Sequence, residues 1–140
     1  MAFHRLLLKK KLEENFDIGK VSIYKYIQEI KNSKIVISPF GWGEFSLRDF
    51  ETFISGGILI KPDMEHLETY PNFYIPNETF IPFKWDFSDI NEIIHDTISN
   101  YKYRIDIAKN AQEKHRFHLN SIDARKEFSM RFYKIIKSKN

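Results

Sequence analysis

The sequence predicts an α/β domain built on a small parallel sheet of about three strands. Short β-branched runs alternate with longer segments of helical periodicity, which is the pattern of parallel α/β folds. The length of 140 residues suits one domain, spanning residues 1–140. A hydrophobic content of 42%, including 16% aromatic residues, supplies enough apolar surface for a buried core.

The N-terminal segments predict two helices. Phe3–Glu14 alternates apolar and basic residues at helical spacing, and Asn15–Lys20 contains a glycine and breaks it. Ser22 is placed to cap a second helix, Ile23–Lys31, because its hydroxyl can accept a backbone N–H of the first turn. Ile23, Ile27 and Ile30 of this helix share one face.

The middle of the chain predicts a strand, a loop, a helix and a second strand. Ser46 is placed to cap the helix, and a glycine pair is placed to end it. The elements and their boundaries are the strand Lys34–Ser38, the loop Pro39–Phe45, the helix from Ser46 to Ser55, the stop Gly56-Gly57 and the strand Ile58–Lys61.

The remainder predicts one helical turn, one more strand and three more helices. These elements are a helical turn at Met64–Thr69, a strand Thr79–Pro82, a helix Asp89–Ser99 capped by Ser88, and the C-terminal helices Tyr101–Arg116 and Ser121–Lys137. The order predicts a partial, Rossmann-like parallel sheet flanked by helices and followed by C-terminal helices.

Composition excludes several classes of protein. The absence of cysteine excludes a disulfide scaffold, a zinc ribbon and a thiol nucleophile. We read no signal peptide and no apolar run long enough for a membrane span, and so expect a cytoplasmic location, with the inner face of the membrane left open. A net charge of +3 is too small to indicate nucleic-acid binding by itself. The basic clusters near both ends are compatible with phosphate binding, with peripheral membrane contact, or with helix faces that are only solvated.

The segment Ser38–Lys61 carries the candidate binding site. Ligands of open α/β sheets bind at the carboxyl ends of strands, facing a helix N-terminus. Gly41 and Gly43 permit close approach of the backbone and a positive φ. Arg48 supplies positive charge, and Glu51 can accept bonds from vicinal hydroxyls.

The start of the predicted helix adds an anion site to the same segment. We expect free backbone N–H groups at residues 46–48 to face the ligand. From spacing alone, an ordinary turn with a solvated glutamate is the favoured interpretation.

From about Val21 to Arg116 the chain resembles the C-terminal, donor-binding lobe of a GT-B-fold glycosyltransferase. The family is the "glycosyl transferases group 1" branch that includes spore-maturation and exostosin-like enzymes. The resemblance rests on KIVISPFGWGEFSLRDFETFISGGILIKPDMEHLETYP, followed by IPNETFIPFKWDFSDI and by the predicted helix Tyr101–Arg116, which contains AKNAQEKHR. It implies transfer of a sugar from a nucleoside-diphosphate donor to a glycan or glycoconjugate acceptor, in bacterial polysaccharide biosynthesis.

The resemblance also implies roles for individual residues. Glu51 matches the carboxylate that holds the ribose hydroxyls, and Arg48 would contact the diphosphate or the base side. The remaining implied substrate-binding residues are the diphosphate-facing loop Gly41, Trp42, Gly43 and Glu44, and the cleft-lining Lys61, Asp63 and His66. Relatives commonly place seven residues between two glutamates, whereas six separate Glu44 from Glu51. The catalytic residue and the stereochemistry of transfer are therefore left unassigned.

The resemblance implies no cofactor and, because no Asp-x-Asp motif occurs, no metal. His115 and His118 share a helix face but lack a convincing third ligand.

The acceptor lobe of the family has no counterpart in these residues, so whether this chain is itself an enzyme is left open. We expect a fragment, a natural short relative, or a lobe completed by another chain or by a homodimer through an open sheet edge. A non-catalytic binding module and a small basic nucleic-acid-binding protein are the alternatives.

Overall fold

A computed structural model describes residues 3–16 and 18–138 of the chain; Asp17 and the extreme ends of the expected domain lie outside them. Six helices and three strands occur in the described residues. In chain order they are α1 (Phe3–Leu12), α2 (Ile23–Asn32), β1 (Ile35–Ile37), α3 (Leu47–Ser55), β2 (Ile58–Pro62), β3 (Ile81–Phe83), α4 (Ile90–Ser99), α5 (Tyr101–Asn120) and α6 (Ile122–Lys137).

The three strands form one parallel sheet in the order β1-β2-β3. Ile35 pairs with Ile58 at one interface, and Ile60 pairs with Ile81 at the other. Every residue of the central strand β2 is buried, whereas β1 is half-buried along its length. The predicted α/β class, with a three-stranded parallel sheet, flanking helices and C-terminal helices, is confirmed.

Two apolar layers cover the two faces of the sheet, because side chains alternate along β2. Ile58 and Ile60 point into the larger layer, with contributions from α1, α4 and α5. Leu59 points into the second layer, where Phe53 of α3 and Phe80 pack. This second layer supports the loop that follows β1.

The predicted caps at Ser22 and Ser46 are confirmed. Ser22 accepts the N–H of Lys25 at the start of α2, and Ser121 caps α6, where no cap was predicted. Ser46 forms a capping box with Asp49 at α3, and Gly56 ends that helix with a φ of 79°. The left-handed backbone at Gly56 explains why glycine occurs there.

Several predicted boundaries and one predicted cap were wrong. The third strand begins two residues later than expected, and Met64–Thr69 holds a turn but no helix. Asp89, not Ser88, occupies the cap position of α4 and makes no side-chain capping bond. In α2 only Ile30 of the isoleucine face is buried. Ile23 and Ile27 are exposed, so the described residues cover that face only in part.

The described helices include none with the length and hydropathy of a membrane span.

Candidate ligand-binding site

A cleft of about 400 Å³ opens at the carboxyl end of β1. Its walls are the loop after β1, the first turns of α3, one side chain of α2 and one of α1. Five of the nine predicted substrate-binding residues line it, namely Gly41, Trp42, Gly43, Arg48 and Glu51. The structure therefore brings the central part of the predicted site together at the expected edge of the sheet.

A carboxylate and an arginine flank Tyr26 in this cleft. The Tyr26 hydroxyl donates a hydrogen bond of 2.5 Å to Glu51 Oε2. Burial, reinforced by the Glu51 carboxylate, raises the pKa of Tyr26, so the phenol stays a neutral donor. The guanidinium of Arg48 lies 5.9 Å from the centre of the Tyr26 ring. Tyr26 therefore positions both charged groups, a role that its sequence context did not indicate.

Arg5 of α1 supplies a second guanidinium to the cleft. A Cβ atom added to Gly41 would lie 3.0 Å from Arg5 Nη2, so the glycine makes room for this contact. Arg5 Nε is buried and has no hydrogen-bond partner among the described residues. No motif around Arg5 could have revealed this role, because the contact joins distant parts of the chain.

The glycine loop differs from the expected conformation. The N–H of Gly41 donates to the carbonyl of Gly43 at 3.0 Å, which closes a tight turn. Neither Gly41 nor Gly43 has a positive φ; among the described glycines, Gly56 has one. The prediction that the loop glycines use left-handed backbone was therefore wrong. Between them Trp42 is 98% exposed, which leaves its ring free to contact a ligand.

More of the backbone N–H groups at the start of α3 are hydrogen-bonded than the sequence predicted. The N–H of Ser46 donates to Asp49 Oδ2, and the N–H of Arg48 donates to Ser46 Oγ. The expectation of free amides at residues 46–48 was therefore wrong for two of the three. The capping box satisfies these donors, so anion binding here depends on the guanidinium groups.

Asp49 forms a buried polar network beneath the cleft. Its Oδ1 accepts a 2.5 Å bond from the Ser38 hydroxyl at the end of β1. Its Oδ2 accepts a 2.8 Å bond from the Tyr74 hydroxyl and lies 3.0 Å from Lys61 Nζ. Asp49 has no exposed surface. The network therefore fixes α3, and with it the cleft-lining residues, to the ends of β1 and β2.

Lys61 is part of this network and does not line the cleft. Its side chain is fully buried, its ammonium pairs with Asp49 without hydrogen-bond geometry, and the rings of Phe40 and Tyr74 lie 5.2 and 5.7 Å away. Burial lowers the pKa of Lys61, while the Asp49 carboxylate and, more weakly, Glu44 oppose that effect. Glu44 therefore acts on the network from outside the cleft lining.

Asp63 and His66 lie in an aromatic cluster next to Phe40. The indole Nε1 of Trp85 donates to the backbone carbonyl of Asp63 at 2.9 Å. The His66 ring meets the Trp85 ring edge-on, with 4.8 Å between centroids, and Phe40 meets Trp85 at 5.5 Å. The structure places these two predicted residues beside Trp85 and not among the residues that line the cleft.

A larger apolar cavity of about 580 Å³ lies elsewhere, between the segment at Tyr70, α5 and α6. His115 borders it and packs against Phe50, Phe53 and Phe73. Burial lowers the pKa of His115. None of the predicted substrate-binding residues lines this cavity. We assign the candidate site to the smaller cleft because it gathers charged and hydrogen-bonding groups at the carboxyl end of the sheet.

The described residues contain no group of three or more His, Asp or Glu side chains arranged for a metal ion. The expectation that the site works without metal stays a prediction.

Fold and site together define an α/β domain with a cation-bearing cleft at the carboxyl end of a parallel sheet. A search against models of known protein families finds no match, and a search of curated proteins finds none either.

Proposed function

We propose that the cleft binds a nucleoside-diphosphate sugar and that the chain is the donor-binding part of a glycosyltransferase. One observation carries the proposal: a carboxylate and two guanidinium groups, from Glu51, Arg48 and Arg5, line the same small cleft. A nucleoside-diphosphate sugar carries hydroxyl groups, which donate hydrogen bonds to a carboxylate, and a charged diphosphate, which binds guanidinium groups. Its binding site therefore needs both a carboxylate and guanidinium groups.

Glu51 is suited to the ribose. Its Oε2 is held by Tyr26, while its Oε1 accepts no hydrogen bond from the described residues. A carboxylate held at one oxygen can accept hydroxyl hydrogens at the other without losing its orientation. This arrangement supports the role that the family resemblance implies for Glu51.

Arg5 and Arg48 are suited to the diphosphate. Guanidinium groups form paired, charge-assisted hydrogen bonds to phosphate oxygens. In sugar transfer the bond between the anomeric carbon and the diphosphate oxygen breaks, and negative charge develops on that oxygen. Fixed cations near it would stabilise the departing diphosphate.

Trp42 and Gly43 are suited to the nucleobase or the sugar. The indole ring is almost fully exposed, and a Cβ at Gly43 would meet no atom within 4 Å. A flat aromatic surface beside open space permits stacking with a base or a sugar ring. The acceptor and the group that removes its proton would come from another lobe or another chain.

Calorimetric titration of the purified chain with uridine, guanosine and adenosine diphosphates tests the proposal. We expect saturable binding of at least one of them. Glu51→Gln should weaken it by about 10- to 150-fold, since one hydrogen bond to a charged group contributes about 1.5–3 kcal/mol. Glu92→Gln, which changes an exposed carboxylate of α4 outside the cleft, should leave the affinity unchanged.

Absence of binding by the folded chain would contradict the proposal. Equal affinities of the wild type and the Glu51→Gln variant would contradict the role assigned to this residue.

A further inference from the structure

Helix α6 carries an apolar stripe that is about half exposed to solvent. Phe128, Phe132, Ile135 and Ile136 follow the spacing i, i+4, i+7 and i+8, which places them on one helix face. Their exposed fractions are 53, 56, 59 and 49%. In a helix packed on a core this face would be buried, so the stripe requires a different explanation.

The start of α6 is anchored to the domain, and the rest extends from it. Ala124 is the buried residue of the helix. The Phe128 ring stacks with the Tyr70 ring at 6.3 Å, and the Arg131 guanidinium lies 4.2 Å from the centre of the Tyr70 ring. Beyond these contacts the last turns project their apolar side chains into solvent.

Positive charge accompanies the exposed stripe. From Phe128 to the end of the helix there are three basic residues, Arg131, Lys134 and Lys137, and no acidic residue. Arg131 pairs with Glu127, whereas Lys134 and Lys137 take part in no ion pair of the described residues. The surface is therefore apolar and cationic together, which complements a partner that is apolar and anionic.

We propose that α6 lies in the plane of an anionic lipid bilayer, with its apolar stripe among the acyl chains and its lysines at the headgroups. Helices that bind in this way combine one apolar face with Lys and Arg on the polar face and aromatic residues near the boundary. The aliphatic stems of Lys134 and Lys137 can follow the apolar surface while the ammonium groups reach the phosphates. This inference is independent of the cleft.

A second copy of the chain is a less suitable occupant. Two copies that packed these faces together would bring two acid-free cationic segments close to each other, which costs electrostatic energy. A layer of anionic headgroups instead neutralises the positive charge of this segment.

Cosedimentation of the full chain with phospholipid vesicles tests the proposal. We expect binding to phosphatidylcholine vesicles containing one third phosphatidylglycerol, little binding to pure phosphatidylcholine, and loss of binding as salt rises. Each lysine near an anionic membrane surface increases the membrane partition coefficient about fivefold. Replacing two of them, in the variant Lys134→Gln with Lys137→Gln, should therefore weaken binding about 30-fold. Phe132→Ser with Ile136→Ser should abolish it.

Matched controls distinguish binding through this surface from nonspecific binding by basic or apolar groups elsewhere on the protein. Lys31→Gln with Lys102→Gln removes the same charge from exposed positions elsewhere, and Ile54→Ser with Ile98→Ser removes exposed apolar groups from α3 and α4. Both variants should bind like the wild type, and circular dichroism should show that every variant is folded.

Three outcomes would overturn the proposal. They are no binding to anionic vesicles, equal binding to neutral ones, and a dimer in equilibrium sedimentation that the α6 substitutions dissociate.

Discussion

Asp49 and Lys61 form an ion pair, with 3.0 Å between Oδ2 and Nζ, and neither side chain has any exposed surface. The pair joins the first turn of α3 to the end of β2. Because Asp49 also accepts bonds from Ser38 and Tyr74, one carboxylate holds four parts of the chain together directly under the cleft. We expect the cleft to keep its shape only while this network is intact.

Asp49→Asn should therefore be strongly destabilising. It leaves the Lys61 ammonium buried without a counter-charge, and losing one partner of such a pair costs about 3–5 kcal/mol. Urea unfolding should show this loss in the free energy of unfolding. Asp106→Asn, which breaks the exposed pair with Lys109, should change that free energy by less than about 1 kcal/mol.

A double variant checks the physical cause. Adding Lys61→Met to Asp49→Asn removes the uncompensated charge, so we expect it to recover part of the lost stability. A double variant less stable than Asp49→Asn would contradict this explanation.

The buried His115 predicts a pH-dependent stability. Its folded-state pKa lies below the ordinary value because burial disfavours the charged imidazolium. When the pH falls through about 6.5, the unfolded chain binds a proton that the folded chain does not, and the free energy of unfolding decreases. The decrease continues until the pH passes the lower folded-state pKa.

His115→Leu should flatten this profile. The variant keeps an apolar side chain among the surrounding rings but removes the titrating group. The difference between the wild-type and variant free energies of unfolding should change by at most about 1.4 kcal/mol per pH unit below pH 6.5. A constant difference across this range would contradict the assignment.

Gly57 and Gly43 should respond differently to alanine. A Cβ at Gly57 would lie 3.1 Å from the Ser33 carbonyl oxygen and 3.4 Å from Val36 Cγ2, whereas a Cβ at Gly43 would meet open space. We expect Gly57→Ala to cost about 1–3 kcal/mol in the free energy of unfolding, as in other overpacked interiors. Gly43→Ala should stay within about 0.5 kcal/mol of the wild type. Equal effects would contradict the packing described at Gly57.

Arg5→Gln should weaken diphosphate binding without harming the fold. Removing a guanidinium from the cleft should lower the affinity for a nucleoside diphosphate by about tenfold or more, and leave that for the corresponding nucleoside unchanged. Lys10→Gln, on an exposed position of the same helix, is the matched control. Equal loss for diphosphate and nucleoside would indicate a collapsed cleft and contradict a phosphate contact.

The features that the sequence predicted well depend on neighbouring residues. The cap at Ser46, the stop at Gly56 and the buried strand after it follow from local backbone chemistry and a short apolar run. The position of the cleft followed as well, because a loop after a parallel strand opens at a known edge of the sheet.

The features that the sequence missed depend on distant contacts. Asp49 looks like an ordinary first-turn acid, and its partners Lys61 and Tyr74 come from later elements. Arg5 reaches the cleft from the first helix, and Tyr26 from the second. Lys61 was expected to contact ligand, but nothing local reveals that its side chain turns into the interior.

Amide chemical-shift mapping during titration with nucleoside diphosphates is the most direct test of donor binding in the cleft. We expect saturable shifts concentrated between Gly41 and Glu51, together with Arg5 and Tyr26, for at least one base. Absence of saturable shifts in a well-folded spectrum, or shifts confined to the cavity beside Tyr70 and α6, would contradict it.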